Sequence, residues 1–236
     1  MTIAAIQHAM LLQVAQALGP ELCQQVVFAG GCTTALLVTD DFTREGVRHT
    51  NDVDLIISLK GTVEYHKLQR RLRQQGFRDA SHQEDVPQGA MFLGDLRVDF
   101  MPDDEKILGF TNRWYRAALE TATDYPLDQT TAIRLIDPVY FAATKVEAWL
   151  GRGSNDPLAS QDIEDLLNLV DGRSVWLQEV AKAPAQVRGY LAEQIAALLE
   201  HRDIEYAIQG ASQGDAPRAR LIHDRLLQVT AHRGAV

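Results

Sequence analysis

The chain has 236 residues, of which 46% are hydrophobic, and its 23 basic and 32 acidic residues give a formal net charge of −9. This composition is typical of a packed globular protein, and the negative charge argues against a general nucleic-acid coat protein, whose affinity depends on neutralising phosphates. There is no disulfide framework, no apolar run near the roughly 20 residues of a membrane span, and no signal-peptide pattern, so we expect a cytoplasmic protein with no membrane partner.

The first quarter of the chain predicts alternating helices and strands. Residues 4–18 have the pattern of a helix that Gly19 and Pro20 end. The stretch "QVVFAGG" predicts a short strand that ends in Gly30 and Gly31, and "TTALLV" after it is helical in character. The polar segment "TDDFTREGVRHT" is typical of a loop. The next strand, "DVDLIISL", has a continuous apolar run, which indicates a sheet covered on both faces.

A basic helix and a hairpin follow this strand. The helix is predicted over about residues 62–75. In "AMFLGDLRVDFMP" we expect a hairpin turn at Gly94 and Asp95. Beyond the turn, apolar and charged residues alternate, so that one face of the strand is apolar and the other is charged. The apolar face carries Leu96, Val98 and Phe100, and the charged face carries Asp95, Arg97 and Asp99.

The rest of the chain predicts helices. Asp137 and Pro138 form a favourable helix start, and "LASQDIEDLLNLVDGR" predicts a second helix that is capped by Ser160 and ends at Gly172. Three further helices are expected to begin near Ser174, Pro184 and Ala216. We therefore predict an α/β half, residues 1–135 with the N-terminal helix included, and an all-helical half, residues 136–236.

The stretch "RHTNDVDLII" places two acidic residues at the start of a buried strand. Because side chains alternate along a strand, Asp52 and Asp54 point to the same side. Two like charges so close repel each other and lose water on burial, unless a cation lies between them. With Asp99 as a third carboxylate, the set suits Mg²⁺, which prefers oxygen ligands. The competing interpretation is that Asp52 is a turn residue and Asp54 a cap.

The glycine pair upstream suits phosphate binding. Gly30 and Gly31 end a strand and precede a predicted helix, so bare backbone N–H groups and the helix N-terminus could face an anion. Thr33 and Thr34 could add hydroxyl donors. A glycine pair is also common in a tight turn, but the order of Gly-Gly, Asp-x-Asp and a later strand aspartate is more specific than any one of these motifs.

Four stretches together resemble a known enzyme family. They are "FAGGCTTALL", "RHTNDVDLII", "LRVDF" and "KVEAWLGRGSNDPLASQDIEDLL". Over roughly residues 26–170 the chain resembles the DNA polymerase β-like nucleotidyltransferase superfamily, and within it the AbiEii-type toxins. The resemblance implies a mixed α/β (α+β) sheet that carries the acidic site, followed by a helical domain. Cys32 departs from the family pattern, which has Thr or Ser after the two glycines.

By position, the resemblance assigns roles to individual residues. Asp52, Asp54 and Asp99 would hold Mg²⁺ or Mn²⁺ and act in catalysis. Lys145 would face the nucleotide and also act in catalysis. The nucleoside triphosphate would be bound by Gly30, Gly31, Thr33, Thr34, Arg48, Thr50, Asp162 and Asp165.

The implied activity is transfer of a nucleoside monophosphate from a nucleoside triphosphate to a hydroxyl. The implied biological setting is a toxin–antitoxin or abortive-infection system, with a cognate antitoxin as partner and an RNA or tRNA end as acceptor. The basic stretch of residues 66–78 could hold that RNA, although a solvated helix face is the competing interpretation. A small-molecule acceptor, a catalytically silent nucleotide-binding module and an interaction protein remain open as alternatives.

Overall fold

The computed structural model describes residues 1–80, 86–153 and 156–233. Over these ranges it contains a mixed sheet of seven strands and twelve α-helices, so the expected mixed α/β class is confirmed. The helices are α1 (Ile3–Cys23), α2 (Thr34–Leu37), α3 (Asp41–Gly46), α4 (Thr62–Gln74), α5 (Glu105–Leu108), α6 (Tyr115–Thr121), α7 (Pro138–Gly151), α8 (Gln161–Gly172), α9 (Trp176–Lys182), α10 (Ala185–Leu199), α11 (Ile204–Ala211) and α12 (Ala216–Thr230). The strands are β1 (Val26–Ala29), β2 (Asp52–Ile57), β3 (Phe77–Asp79), β4 (Ala90–Leu93), β5 (Leu96–Pro102), β6 (Thr123–Pro126) and β7 (Ala132–Leu135).

The chain divides into two compact units. A sheet unit comprises Met1–Thr33 and His49–Asp137, and a helical unit comprises Thr34–Arg48 and the chain from Pro138 onward. The division after Asp137 lies two residues beyond the boundary expected from the sequence. The segment from Thr34 to Arg48, which we expected in the α/β half, groups with the helical unit instead.

The sheet has the strand order β3-β4-β5-β2-β1-β7-β6. Strand β2 pairs parallel with β5 and antiparallel with β1, so it lies in the middle of the sheet. Its residues Leu55, Ile56 and Ile57 are all buried, as expected for a strand covered on both faces. Helix α1 packs on β1, β2 and β7 of the same unit.

Two local predictions for the sheet unit are confirmed. Helix α4 forms where the basic pattern indicated it. Strands β4 and β5 form a hairpin in which Leu93 pairs with Leu96, so Gly94 and Asp95 are the turn. Gly94 has a φ of 62°, a left-handed conformation that glycine adopts at little cost.

The first helical segment ends where the sequence predicted, at Gly19, whose φ of 69° and ψ of 167° are not helical. A second segment, which was not expected, follows directly, so that α1 as a whole runs to Cys23 with a kink at Gly19. Proline at the start of a helical segment loses no intrahelical hydrogen bond, because the first N–H groups have no partner there. Pro20 therefore begins a second helical segment after the kink.

The predicted loop over residues 39–50 was also wrong in part, because α3 forms within it. Asp40 caps α3 by accepting a hydrogen bond from the Thr43 N–H, at 3.0 Å. The N–H groups of Thr39 and Asp40 each donate to the Gly172 carbonyl at 2.9 Å. These bonds attach the segment to the end of α8 and explain why it belongs to the helical unit.

Helix α8 is the centre of the helical unit. Its residues Ile163, Leu166, Leu167, Leu169 and Val170 are 0–1% exposed. The predicted cap is present, since the Ser160 hydroxyl accepts from the Ile163 N–H at 3.3 Å, and the helix ends at Gly172 as expected.

The sequence predicted three helices after α8, whereas the described residues from 173 to 233 form four. Helix α11 was missed, although Ile204, Ala207 and Ile208 are buried at helical spacing. Across the described residues, no helix is both long and apolar enough to cross a membrane.

Arg218 holds three parts of the helical unit together. Its Nη2 lies 2.9 Å from the Asp171 carboxylate, whose side chain is fully buried, and 2.5 Å from the Asp40 carboxylate. The residue lies on α12, Asp171 on α8, and Asp40 caps α3. A single guanidinium therefore compensates the buried charge of Asp171 and also binds the α3 cap.

We expect Arg218→Met to reduce the free energy of unfolding by about 3 kcal/mol, because it leaves the buried Asp171 charge without this partner. Urea denaturation measures the change. Arg220→Met is the matched control, since Arg220 is an exposed arginine on the same helix and its loss should cost little. Equal effects of the two substitutions would contradict the role given to Arg218.

Candidate active site

The register between β2 and β5 gathers the acidic residues of the sheet unit. Asp52 lies opposite Arg97, and Asp54 lies opposite Asp99. Residues at paired positions of neighbouring strands point to the same face. Asp52, Asp54, Arg97 and Asp99 therefore share one face of the sheet, while Val53 and Val98 point into the core on the other face, each 0% exposed.

Arg97 binds the carboxylates around it. Its Nη2 donates to Oδ2 of Asp52, and its Nε lies 3.2 Å from Oδ1 of Asp99. The Thr50 hydroxyl donates to the other Asp52 oxygen. The side chains of Asp52 and Asp99 are 22% and 12% exposed. Both carboxylates are thus largely removed from water and rely on neighbouring groups.

Asp99 is the most buried member of this acidic group. Burial raises the pKa of its carboxyl, and the Arg97 charge offsets only part of that effect. Its Oδ1 atom is buried and accepts no hydrogen bond, because Arg97 Nε, although close, is not aligned for one. A buried carboxylate oxygen in this state is suited to accept a proton or to bind a cation.

The glycine pair lies beside the acidic residues. Ala29, at the end of β1, pairs with Asp54, and Gly30 follows with a φ of 70°. A Cβ atom at Gly30 would overlap the Asp54 carboxylate. Glycine is therefore required here both by the backbone conformation and by the close approach of Asp54. Gly31 is buried and begins a single 3₁₀ turn, Gly31–Thr33.

The donor set of this face is compatible with a hard divalent cation. It offers three carboxylates on two adjacent strands, and one buried oxygen of Asp99 lacks a hydrogen bond. Among residues 1–80, 86–153 and 156–233, however, no three acidic, histidine or cysteine side chains are already arranged to hold a metal ion. The Arg97 guanidinium is the positive charge that contacts Asp52 and Asp99 in this arrangement.

A second charged cluster lies within the helical unit and centres on Asp165. Lys145 Nζ is 2.7 Å from Asp165 Oδ2 and 3.4 Å from Asp162 Oδ1. Arg48 donates to both Asp165 oxygens, at 3.1 and 3.0 Å, and the Thr34 hydroxyl donates to Oδ1 at 3.3 Å. Arg152 donates to Oδ2 of Asp162. Both aspartates are thus paired with cations of their own unit.

The charges around Asp165 outweigh the effect of its burial. Burial alone would raise the pKa of its carboxyl, but Lys145 and Arg48 hold that pKa below its usual range. The Asp165 side chain is 0% exposed. Asp165 is therefore ionised and holds α8, α7 and the segment containing Arg48 together.

The residues predicted from the sequence fall into these two clusters. The sheet unit brings together Gly30, Asp52, Asp54 and Asp99, with Thr50 bound to Asp52. The helical unit brings together Thr34, Arg48, Lys145, Asp162 and Asp165.

Two details bear on the predicted roles. The Lys145 head group, predicted to face the nucleotide, lies 5.6 Å from the Phe141 ring and is buried in ion pairs, with the residue 7% exposed. The hydroxyls of Thr33 and Thr34, expected as phosphate donors, are buried and donate to the Gly30 carbonyl and to Asp165.

Sequence reasoning missed the roles of two arginines. Arg97 was placed on the charged face of its strand, and its spacing of two residues from Asp99 was the signal that it would contact the acidic group. Arg152 lies seven residues, about two helical turns, after Lys145, and this spacing was the signal that both side chains would reach the same acidic partner. Ser154 and Asn155, which belong to the last of the four family-like stretches, lie outside the described residues.

A scan of protein-family models gives no match to this chain, and neither does a search of curated protein sequences. The functional assignment therefore depends on the motifs and on the geometry of the acidic face.

We expect Asp165→Asn to lower the free energy of unfolding by at least about 3 kcal/mol at pH 7, because it leaves Lys145 and Arg48 without their shared buried anion. The folded-state pKa of Asp165 is lowered, so its stabilising charge is present above the unfolded value of about 3.9 and is lost as the pH falls through the folded-state pKa. The difference from the wild type should therefore shrink between pH 5 and pH 3, as measured by urea denaturation at each pH.

Glu193→Gln serves as the control for this experiment, since it makes the same type of change at an exposed position of α10. Its effect should be small at every pH. A deficit of Asp165→Asn that stays constant down to pH 3 would show that ion pairing does not explain the stabilisation.

Proposed function

We propose that the chain is a divalent-cation-dependent nucleotidyltransferase that moves a nucleoside monophosphate from a nucleoside triphosphate to a hydroxyl acceptor. The observation that carries the proposal is the common face of Asp52, Asp54 and Asp99, formed by the β2–β5 register directly beside the Gly30 turn. This combination joins a carboxylate set of the kind that binds Mg²⁺ to a bare backbone turn at which phosphates can approach.

The three carboxylates would hold Mg²⁺ or Mn²⁺, which when bound neutralises negative charge on the triphosphate. In the transfer, the acceptor oxygen forms a bond to the α-phosphorus, the bond from that phosphorus to the bridging oxygen breaks, and pyrophosphate leaves. The acceptor proton would pass to the Asp99 carboxylate, which lies on the same face as Asp52 and Asp54. Thr50 would keep Asp52 oriented through its hydroxyl. The protein thus contributes position and charge, as is usual in phosphoryl-type transfers.

The acceptor class we propose is an RNA end, with the chain acting as the toxin of a toxin–antitoxin or abortive-infection pair. The supporting feature is the basic face of α4 in the sheet unit. On that helix Arg71 is paired with Glu21 and Arg73 with Asp79, at 2.8 Å each. Lys67 and Arg70 are exposed and one turn apart, so these two are the best candidates for phosphate contacts.

Asp54→Asn tests the catalytic proposal. Loss of a metal-binding carboxylate should reduce nucleotide transfer at least about 100-fold, since even substitutions next to a metal ligand cost 10- to 100-fold. The cation-free protein should fold and melt at the same or a slightly higher temperature, because repulsion among the three carboxylates falls. Transfer is measured with nucleoside triphosphates labelled at the α-phosphate, and melting by thermal unfolding.

The matched control is Asp95→Asn, an exposed residue in the β4–β5 turn, which should leave transfer unchanged. Binding of nucleotide without transfer by the wild type would favour a catalytically silent nucleotide-binding module. A large loss of melting temperature in cation-free Asp54→Asn would identify Asp54 as a structural cap instead.

The acceptor proposal predicts that replacing Lys67 and Arg70 together with glutamine weakens RNA binding. Each lost phosphate contact reduces the slope of log affinity against log salt by about 0.7 to 0.9, so the double variant should lose roughly one to two units of slope. Filter binding or fluorescence anisotropy over a salt series measures both quantities.

Arg71→Gln with Arg73→Gln is the matched control, because both guanidinium groups are already paired with acids of the sheet unit. The control should change the slope less than the first pair does. If both double variants bind RNA like the wild type, α4 is a solvated face and RNA is held elsewhere or is not the acceptor.

A further inference from the structure

Arg97 occupies a distinctive position within the acidic face. It is the β5 residue paired with Asp52, and it precedes Asp99 by two residues, so its side chain emerges on the same face as all three carboxylates. Its two ends contact different aspartates, Asp52 through Nη2 and Asp99 through Nε. One guanidinium therefore connects an aspartate of β2 with an aspartate of β5.

Electrostatics explains why such a bridge is needed. Carboxylates that are close together and largely removed from water destabilise a fold unless positive charge lies among them. The Arg97 side chain is only 31% exposed, and its partners less so. A guanidinium stays charged at every physiological pH, so it provides this compensation whether or not a metal ion is present.

The same geometry creates a conflict. Asp52 and Asp99 are also the carboxylates that a divalent cation would need, and the Asp52 oxygen that accepts from Arg97 is unavailable to a metal ion at the same moment. Repulsion between the guanidinium and a divalent cation a few ångströms away would oppose simultaneous binding.

We infer that Arg97 is an internal counterion that competes with the divalent cation for Asp52 and Asp99, so that cation binding displaces its guanidinium from the acidic face. This inference rests on the proposed function in one respect, namely that the acidic face takes a divalent cation. Arg97 thereby limits the affinity for the cation. Without nucleotide, the protein binds the metal weakly because Arg97 occupies the carboxylates of Asp52 and Asp99 that would be the metal ligands.

The test measures binding of Mn²⁺ alone, without nucleotide, by the loss of the free Mn²⁺ signal in electron paramagnetic resonance. Arg97→Gln should bind Mn²⁺ at least about tenfold more tightly than the wild type, since the repulsion it removes exceeds the free energy of a tenfold change. Arg97→Lys keeps the charge but lacks the planar guanidinium that can bridge two carboxylates, so its Mn²⁺ affinity should be intermediate. This variant also keeps the proposal testable if Arg97→Gln does not fold.

Arg78→Gln is the matched control for overall charge. Arg78 of β3 pairs with Phe92 of β4, and Phe92 pairs with Arg97 of β5, so Arg78 lies on the same face of the sheet two strands from Arg97. Its guanidinium lies 4.2 Å from the centre of the Phe92 ring. The Arg78→Gln variant should bind Mn²⁺ like the wild type. The double variant Arg97→Gln/Asp54→Asn should lose most of the gain, which would place the tighter site on the acidic face.

A second readout separates competition from a merely structural role. Without metal, Arg97→Gln should melt below the wild type because the carboxylates repel, and saturating Mn²⁺ should narrow that difference, since the cation replaces the missing charge.

The outcomes distinguish the two proposals. Equal Mn²⁺ affinities for the wild type, Arg97→Gln and Arg97→Lys would overturn the competition while leaving the cation site and the transferase proposal intact. Absence of Mn²⁺ binding in every variant would remove the cation site itself and, with it, both proposals.

Discussion

The parallel pairing of β2 with β5 is the constraint on which the sheet unit depends. It fixes Asp54 opposite Asp99 and Asp52 opposite Arg97, and a slip of one residue would send these charges into the core and Val53 and Val98 outward. The apolar face therefore favours this register, because it buries Val53, Leu55, Val98 and Phe100 to at most 1% exposure. The energy that positions the candidate site comes from hydrophobic burial on the opposite side of the same strands.

Buried charge in the helical unit follows a different rule, in which each anion has cations of its own. Asp165 is bound by Lys145 and Arg48, and Asp171 by Arg218. Such pairs are costly to break and contribute little net stability compared with apolar packing, but they specify which segments meet. They explain how a polar stretch such as residues 39–48 becomes part of a helical unit, since Asp40 and Arg48 are both fixed to α8 or its partners.

The sequence predicted those parts of the structure that depend on local patterns. The β4–β5 hairpin, the helix start at Pro138 and the Ser160 cap each follow from a few neighbouring residues and were predicted correctly. Predictions failed where distant contacts decide the outcome. Helix α3 and the residues before it are held to α8, more than 120 residues away, by backbone bonds to the Gly172 carbonyl and by a hydrogen bond from the Thr43 hydroxyl to Asp171. Lys145 is buried by partners on the next helix. The pairing of Asp52 with Arg97 joins residues 45 positions apart, and a local pattern does not specify which strand lies next to β2.

The two charged clusters differ in a way that bears on where a ligand would bind. In the helical unit, two carboxylates, Asp162 and Asp165, meet three cations, Lys145, Arg48 and Arg152. On the acidic face, β2 and β5 together contribute three carboxylates and a single guanidinium. The helical cluster already carries more cations than carboxylates, so a further cation there would increase its excess of positive charge. Lys145, Arg48 and Arg152 each bind a carboxylate of their own unit, and Asp165 thereby joins α7, α8 and the segment that contains Arg48.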